Sequence, residues 1–230
     1  MNRPLKRGFF VTATGTDIGK TYVSAGLLRH WRQAGKRIAA LKPVLSGFDR
    51  GQAAASDAGE LLQAMGLPVD DTHLDRLAPW RFAAPLSPDM AALREGKTID
   101  PEAVTAFCRR ELERDADYML VEGVGGVMVP LSEKTTVLDW MAGLKLPAIL
   151  VTGSYLGTIS HTLTALAVLK MRQIPVATVV LNESPVSPVS LSETAAVLKQ
   201  HWDGIDIVCL NRPAGPDDFA RLAGQLDRTT

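Results

Sequence analysis

A chain of 230 residues with 46% hydrophobic side chains is long enough to bury one full-sized core. Its 25 Lys and Arg balance 25 Asp and Glu, so no global field draws nucleic acid or an anionic membrane to it. No apolar run is long enough to span a bilayer, and no apolar signal core lies between Met1 and Arg7, so a cytoplasmic protein is expected. The 2 cysteines, Cys108 and Cys209, fall in a helical and a strand-like context; they read as reduced, buried small residues.

The first strand includes Phe9-Phe10-Val11-Thr12, ends in a small-residue loop, and Gly19-Lys20-Thr21 then opens a helical pattern. Strand, loop and helix in that order make a phosphate site. Backbone N–H groups of such a loop point at the phosphates, and the helix dipole adds partial positive charge. Lys20 is expected to reach the β- and γ-phosphates, with the Thr21 hydroxyl on Mg²⁺. Thr14 stands where the G-x-x-x-x-G-K-[ST] pattern has its first glycine, and Gly15 follows one residue later. The loop is therefore expected to turn by a different route.

Lys20 to Gln33 carries Val23, Leu27, Leu28 and Trp31 at helical spacing and stops at Gly35. Arg37 to Val44 reads as one strand. Lys42 lies at its carboxyl end, where parallel α/β sheets meet ligands, although a solvated lysine would fit that position too. Leu45 to Ala55 reads as a flexible connection. Ser56 is an N-cap and Asp57 a first-turn acid for a helix to Met65, a capping role that would by itself explain Asp57. Trp80 to Pro88 reads as a loop before a short helix ending at Gly96, and Asp100-Pro101 opens a helix to about Arg114.

Tyr118 to Val121 is a buried strand ending in Glu122-Gly123-Val124-Gly125-Gly126. A carboxylate at a strand tip before glycines suits Mg²⁺ beside a nucleotide, and the glycines admit a close ligand or backbone. Beyond it come a helix from Val137 to Leu144, a strand from Pro147 to Thr152, and a helix from Ile159 to Met171. A strand from Pro175 to Leu181 follows, with Asn182 at its end. Ser190 and Glu193 form a capping box for a helix to His201, before a strand from Asp206 to Leu210 and a helix from Asp217 to Leu226. The alternation predicts one α/β domain with a mostly parallel central sheet and helices on both faces. Ligands then belong at the carboxyl ends of the strands, where Lys20, Lys42, Glu122 and Asn182 fall. The 4 histidines show no metal-ligand spacing.

Thr16 to Thr21, Lys42-Pro43-Val44 with Ser46-Gly47, Ser56-Asp57, Pro85 to Pro88, Val121 to Gly126, Leu156 to Ile159 and Asn182 follow one another with telling gaps. On these residues the chain resembles the dethiobiotin synthetase family of P-loop NTPases over nearly its whole length. The resemblance implies closure of a cyclic urea from 7,8-diaminopelargonate and CO₂ with ATP and Mg²⁺, by a homodimer. It implies that Lys42 and Lys20 are catalytic and that Thr16, Lys42 and Ser46 contact the substrate. Thr21, Asp57 and Glu122 would surround the metal. Nucleotide contacts are implied for Asp17, Ile18, Gly19, Lys20, Thr21 and Tyr22, for Asp57, and for Glu122, Gly123, Val124 and Gly125. Asn182, with Asn211, Arg212 and Pro213, would meet the adenine.

Several positions depart from the family pattern: Ala13 for a glycine, Gly15 for an acid, Asp89 for a histidine and Ser160 for an asparagine. Other readings are a divergent paralogue acting on another amine, or a MinD/ParA-type nucleotide switch. The switch proteins carry an extra lysine early in the loop, and Ala13-Thr14-Gly15 lacks one. An amide-forming cobalamin-pathway synthase would need a glutaminase domain with a nucleophilic cysteine, for which Cys108 and Cys209 have no suitable context.

Overall fold

The computed structural model describes residues 7–229, so the reading of Met1 to Arg7 falls almost wholly outside them. Parallel strands covered on both faces need continuous apolar runs, and this chain supplies them. Strands β1 (Arg7–Ala13), β2 (Ile38–Leu41), β5 (Tyr118–Glu122), β6 (Ala148–Thr152), β7 (Val176–Asn182) and β8 (Ile207–Leu210) form a six-stranded sheet in the order β2-β5-β1-β6-β7-β8. Every pairing in it is parallel. β5 and β6 are buried at all five positions each. The predicted α/β architecture is present.

Alternation along β1 sends Phe9, Val11 and Ala13 to one face and Phe10 to the other. The first face is covered by α1 (Lys20–Gln33), α2 (Asp57–Met65), α3 (Asp71–Leu77) and α9 (Pro216–Arg228). The second is covered by α4 (Pro88–Arg94), α5 (Pro101–Leu112), α6 (Val137–Leu144) and α7 (Thr158–Met171), while α8 (Leu191–His201) packs at the β7–β8 edge. Local capping sets several starts: Ser56 accepts from Gly59 N–H, Asp100 from Glu102 N–H, and Ser190 and Glu193 close a reciprocal box.

The segment between β2 and α4 differs from expectation. The strand expected from Arg37 to Val44 ends at Leu41, because Lys42 N–H turns away to Leu77 O (3.0 Å) and Pro43 has no N–H to give. The chain then forms β3 (Val44–Ser46), paired in parallel with β4 (Trp80–Phe82) as a separate two-stranded sheet. Thus Trp80 to Phe82 is strand, not loop. The stretch expected to be flexible holds a 3₁₀ helix from Arg50 to Ala55, capped by Asp49. It packs so closely on α2 that a Cβ on Gly59 would lie 2.2 Å from Ala53 O.

Helices α1 and α9 touch at Gly26, where a Cβ would lie 2.0 Å from the Phe219 ring. Gly26→Ala is expected to lower the unfolding free energy by about 1–3 kcal/mol, despite alanine's better helix propensity. Urea denaturation checks this, and an unchanged or raised stability would mean that α9 does not seat on this glycine.

Candidate active site

Chain direction brings the site together: β1, β2 and β5 all run toward one edge and end there. The loop after β1 turns at Asp17 (φ 57°) and Gly19 (φ 101°) rather than at Gly15. Gly15 serves differently, since a Cβ on Gly126 would lie 3.3 Å from its Cα and from Ala13 O. The glycines after β5 therefore let the two loops pack backbone to backbone. At the mouth of α1 no side chain caps the helix, which leaves its first N–H groups for an anion. Lys20 folds back over the loop, donating to Gly15 O at 3.3 Å.

The register Val11↔Glu122 seats the Glu122 carboxylate beside the loop, 1% exposed. A carboxylate that deep needs charge partners. Lys42 donates to Glu122 Oε1 (2.8 Å) and to Gly123 O (3.1 Å), and its Nζ lies 3.1 Å from Asp57 Oδ2. Thr21 donates to the same Oε1 at 2.7 Å. Glu122 Oε2 is buried with no partner among the described residues. Desolvation works against the Lys42 ammonium, but Glu122 and Asp57 outweigh it and hold the group above its ordinary value. Burial likewise pushes Asp57 up, and Lys42 more than reverses it. Lys20 has no such neighbour at close range; burial, with repulsion from Lys42, lowers it to about 8. Thr21, Asp57 and Glu122 make an oxygen-only set suited to a small hard dication that keeps most of its ligands from water or phosphate. Among the described residues no group of three or more His, Cys, Asp or Glu forms a cage of its own.

A cleft of about 730 Å³ opens over this cluster. Lys20, Thr21, Lys42 and Asp57 form its charged floor, Thr16, Asp17, Val124 and Gly125 one side, and the far wall is Ser46-Gly47 with Pro85 to Pro88. Ser46 Oγ is buried and unpartnered. Asp89 is not among the described residues that line the cleft.

The residues expected at the adenine, Asn182 and Asn211 to Pro213, are not among those lining this cleft. Asn182, 1% exposed, donates to Ile18 O (2.8 Å) and accepts from Arg212 Nε–H (3.3 Å). The Arg212 guanidinium lies 4.7 Å from the centre of the Tyr22 ring, its backbone N–H is held by Glu183 (2.8 Å), and the Tyr22 hydroxyl accepts from Ala214 N–H (2.7 Å). Both Arg212 and Asn182 crowd Gly19, where a Cβ would be 2.3 Å from each. Asn211 faces a second hollow of about 510 Å³ with Glu183 and Ser190, and Pro213 is exposed at the surface.

Sequence reasoning missed a hydroxyl ladder behind the loop. Thr152 Oγ1 bonds with Thr158 (2.9 Å), Thr162 (2.7 Å) and Thr14 (3.3 Å), and Tyr155 links Thr14 (3.4 Å) to His161 (2.9 Å). Ser154 and Ser184 exchange backbone N–H to Oγ bonds, joining the loops after β6 and β7. Such pairs follow from which strands become neighbours, and no local spacing announces them.

A family model described as an AAA domain matches residues 7–209. An ATP-dependent dethiobiotin synthetase of Acidiphilium cryptum (strain JF-5) is 51% identical over 194 residues, covering 84% of this chain and 87% of that protein. The synthetase of Phenylobacterium zucineum (strain HLK1) is 50% identical over 207 residues, covering 89% and 88%. Among solved structures, the cell division ATPase MinD of Pyrococcus furiosus superposes with a TM-score of 0.57 at 15% identity, covering 98% of this chain and 100% of that one. A ParA family ATPase from Chlorobium tepidum TLS gives 0.52 at 16%, covering 98% and 97%. At that identity the two ATPases share the fold alone, so the nucleotide-switch alternative is not favoured. On the identity it shares with the synthetases over most of its length, the chain belongs to the ATP-dependent dethiobiotin synthetases, ligases built on the P-loop NTPase fold.

Proposed function

We propose that this chain closes the ureido ring of dethiobiotin from 7,8-diaminopelargonate and CO₂, with ATP converted to ADP and phosphate, in biotin biosynthesis. The observation that carries the reading is Lys42, a buried cation at a strand end between the phosphate loop and a separate cleft wall. One amine of the diamine adds to CO₂ and loses a proton, giving a carbamate. A carbamate oxygen attacks the γ-phosphorus of ATP and ADP departs, leaving a carbamic–phosphoric anhydride. The second amine attacks its carbonyl carbon, and phosphate leaves as the ring closes.

Each species is anionic, so positioning and electrostatics supply most of the help. Loop N–H groups and Lys20 cradle the phosphates. Lys42 orients the carbamate against the γ-phosphate and offsets their mutual repulsion. Ser46 Oγ, with no partner of its own, offers a hydrogen bond to the substrate, and Thr16 lies at the border between the two ligands. Thr21, Asp57 and Glu122 would hold Mg²⁺, which would supply positive charge against the phosphates; Glu122 Oε2, buried and without a partner among the described residues, fits that ligand set. On the far side of Gly19, the Asn182, Asn211, Arg212 and Pro213 group is assigned to the base. Two copies pair in this reading, as the resemblance to the synthetase family implies. Light scattering then gives twice the chain mass, and a monomer at micromolar concentration would refute the pairing.

The deciding assay is ADP release with ATP, Mg²⁺ and bicarbonate, with and without the diamine, and mass spectrometry for the cyclic urea. ADP release that ignores the diamine would overturn the proposal. Lys42→Ala is expected to lower kcat by roughly a thousandfold or more while ATP still binds; an unchanged kcat removes Lys42 from the mechanism. Lys20, at about 8, loses its charge in the empty site above that pH. Phosphates need the ammonium, so binding above that pH must take up a proton. Metal-free ATP affinity is expected to be flat below about pH 7 and to fall by up to about tenfold per unit above about pH 8. Calorimetry in buffers of differing ionisation heat checks this, and an absence of proton uptake at about pH 8.5 would contradict it.

A further inference from the structure

Resting on the reading above, we infer that the Lys42 ammonium is the resident cation of the metal-free site, and that a divalent metal binds by displacing it from Asp57. An ammonium has three N–H donors. Here two are given to Glu122 Oε1 and Gly123 O, and Asp57 Oδ2 lies 3.1 Å from Nζ as an ion pair. In this seat its charge is neutralised by two carboxylates, Glu122 and Asp57. Reaching a carbamate or a phosphate requires it to release a carboxylate.

The surroundings say which one. Glu122 is locked, 1% exposed and also holding Thr21, whereas Asp57 is 46% exposed at the first turn of α2. Glu122 Oε2 remains an unfilled acceptor in the same cluster. A dication drawn to that oxygen and to Asp57 meets the Lys42 charge at the same place. The backbone of Lys42 is pinned by its bond to Leu77 O, so the side chain alone swings. Lys20 and Lys42 face Glu122, Asp57 and the more distant Asp17 before the metal arrives; afterwards the added charge favours anionic ligands in the cleft. Metal–nucleotide entry therefore frees Lys42 at the moment the carbamate needs it.

The test compares wild type with Lys42→Met, following Mn²⁺ binding to nucleotide-free protein by electron paramagnetic resonance and thermal unfolding in EDTA or Mg²⁺. Lys42→Met is expected to bind the metal at least about tenfold more tightly than wild type. It should unfold roughly 5–15 °C lower in EDTA and regain most of that loss in Mg²⁺. Equal metal affinity, or a loss that metal does not repair, overturns the inference. Should this variant not fold, wild type labelled with ¹⁵N at lysine Nζ decides. A protected Lys42 ammonium signal is expected in EDTA and should move or vanish with Mg²⁺–ADP. A signal unmoved at an ADP occupancy measured by calorimetry sinks the inference alone. No uptake of Mg²⁺–ADP sinks the nucleotide-site reading, and this inference with it.

Discussion

The structure is arranged around one buried carboxylate. A carboxylate buried as deeply as Glu122, at the tip of β5, needs cations and hydrogen bonds close by. The sheet order supplies them, with β2 on one side bringing Lys42 and β1 on the other leading into Thr21. Removing any one of these groups leaves a neighbour unpaired in a dry place, which costs more than the lost contact. Stability and chemistry thus draw on the same atoms.

Around this centre the loops are tied to one another rather than to solvent. Thr152, at the end of β6, is the hub of hydroxyl bonds that reach the phosphate loop through Thr14. Next to it the reciprocal Ser154–Ser184 pair holds the loops after β6 and β7 in a fixed relation. Glu183, adjacent to Ser184, anchors the Arg212 backbone. A bonded path therefore runs from Arg212 to the phosphate loop without crossing the cleft.

Much of this was legible beforehand, for local reasons. Buried parallel strands are apolar runs, and the Ser56, Asp100 and Ser190 caps are spelled in a few adjacent residues. Lys20, Thr21, Lys42, Asp57 and Glu122 stood out because each falls at the end of a strand or the start of a helix, and they converge. β3 and β4 did not, since three-residue strands have no period to read and each is defined only by the other. Pro43 marked the break but not where the chain would go next. The glycine and alanine run after Gly47 suggested slackness, yet small side chains there are what let the 3₁₀ turn press on α2. The placement of Arg212 over Tyr22 depends on a long side chain choosing among rotamers, which no spacing encodes.

The β3–β4 pair carries a consequence of its own. Its strands bond to each other and not to the central sheet, while Leu45 packs into the core on one face of that sheet and Val44 and Phe82 into the core on the other. The cleft wall that the proposed reading gives to the acceptor is therefore joined to the sheet by side-chain packing, without a shared hydrogen-bond register. On that reading, changes in Ser46, Pro85 or Ser87 alter the wall without shifting the strand register that sets Lys42 and Glu122. A lineage can in this way trade one acceptor for another while inheriting its energy-transfer apparatus intact.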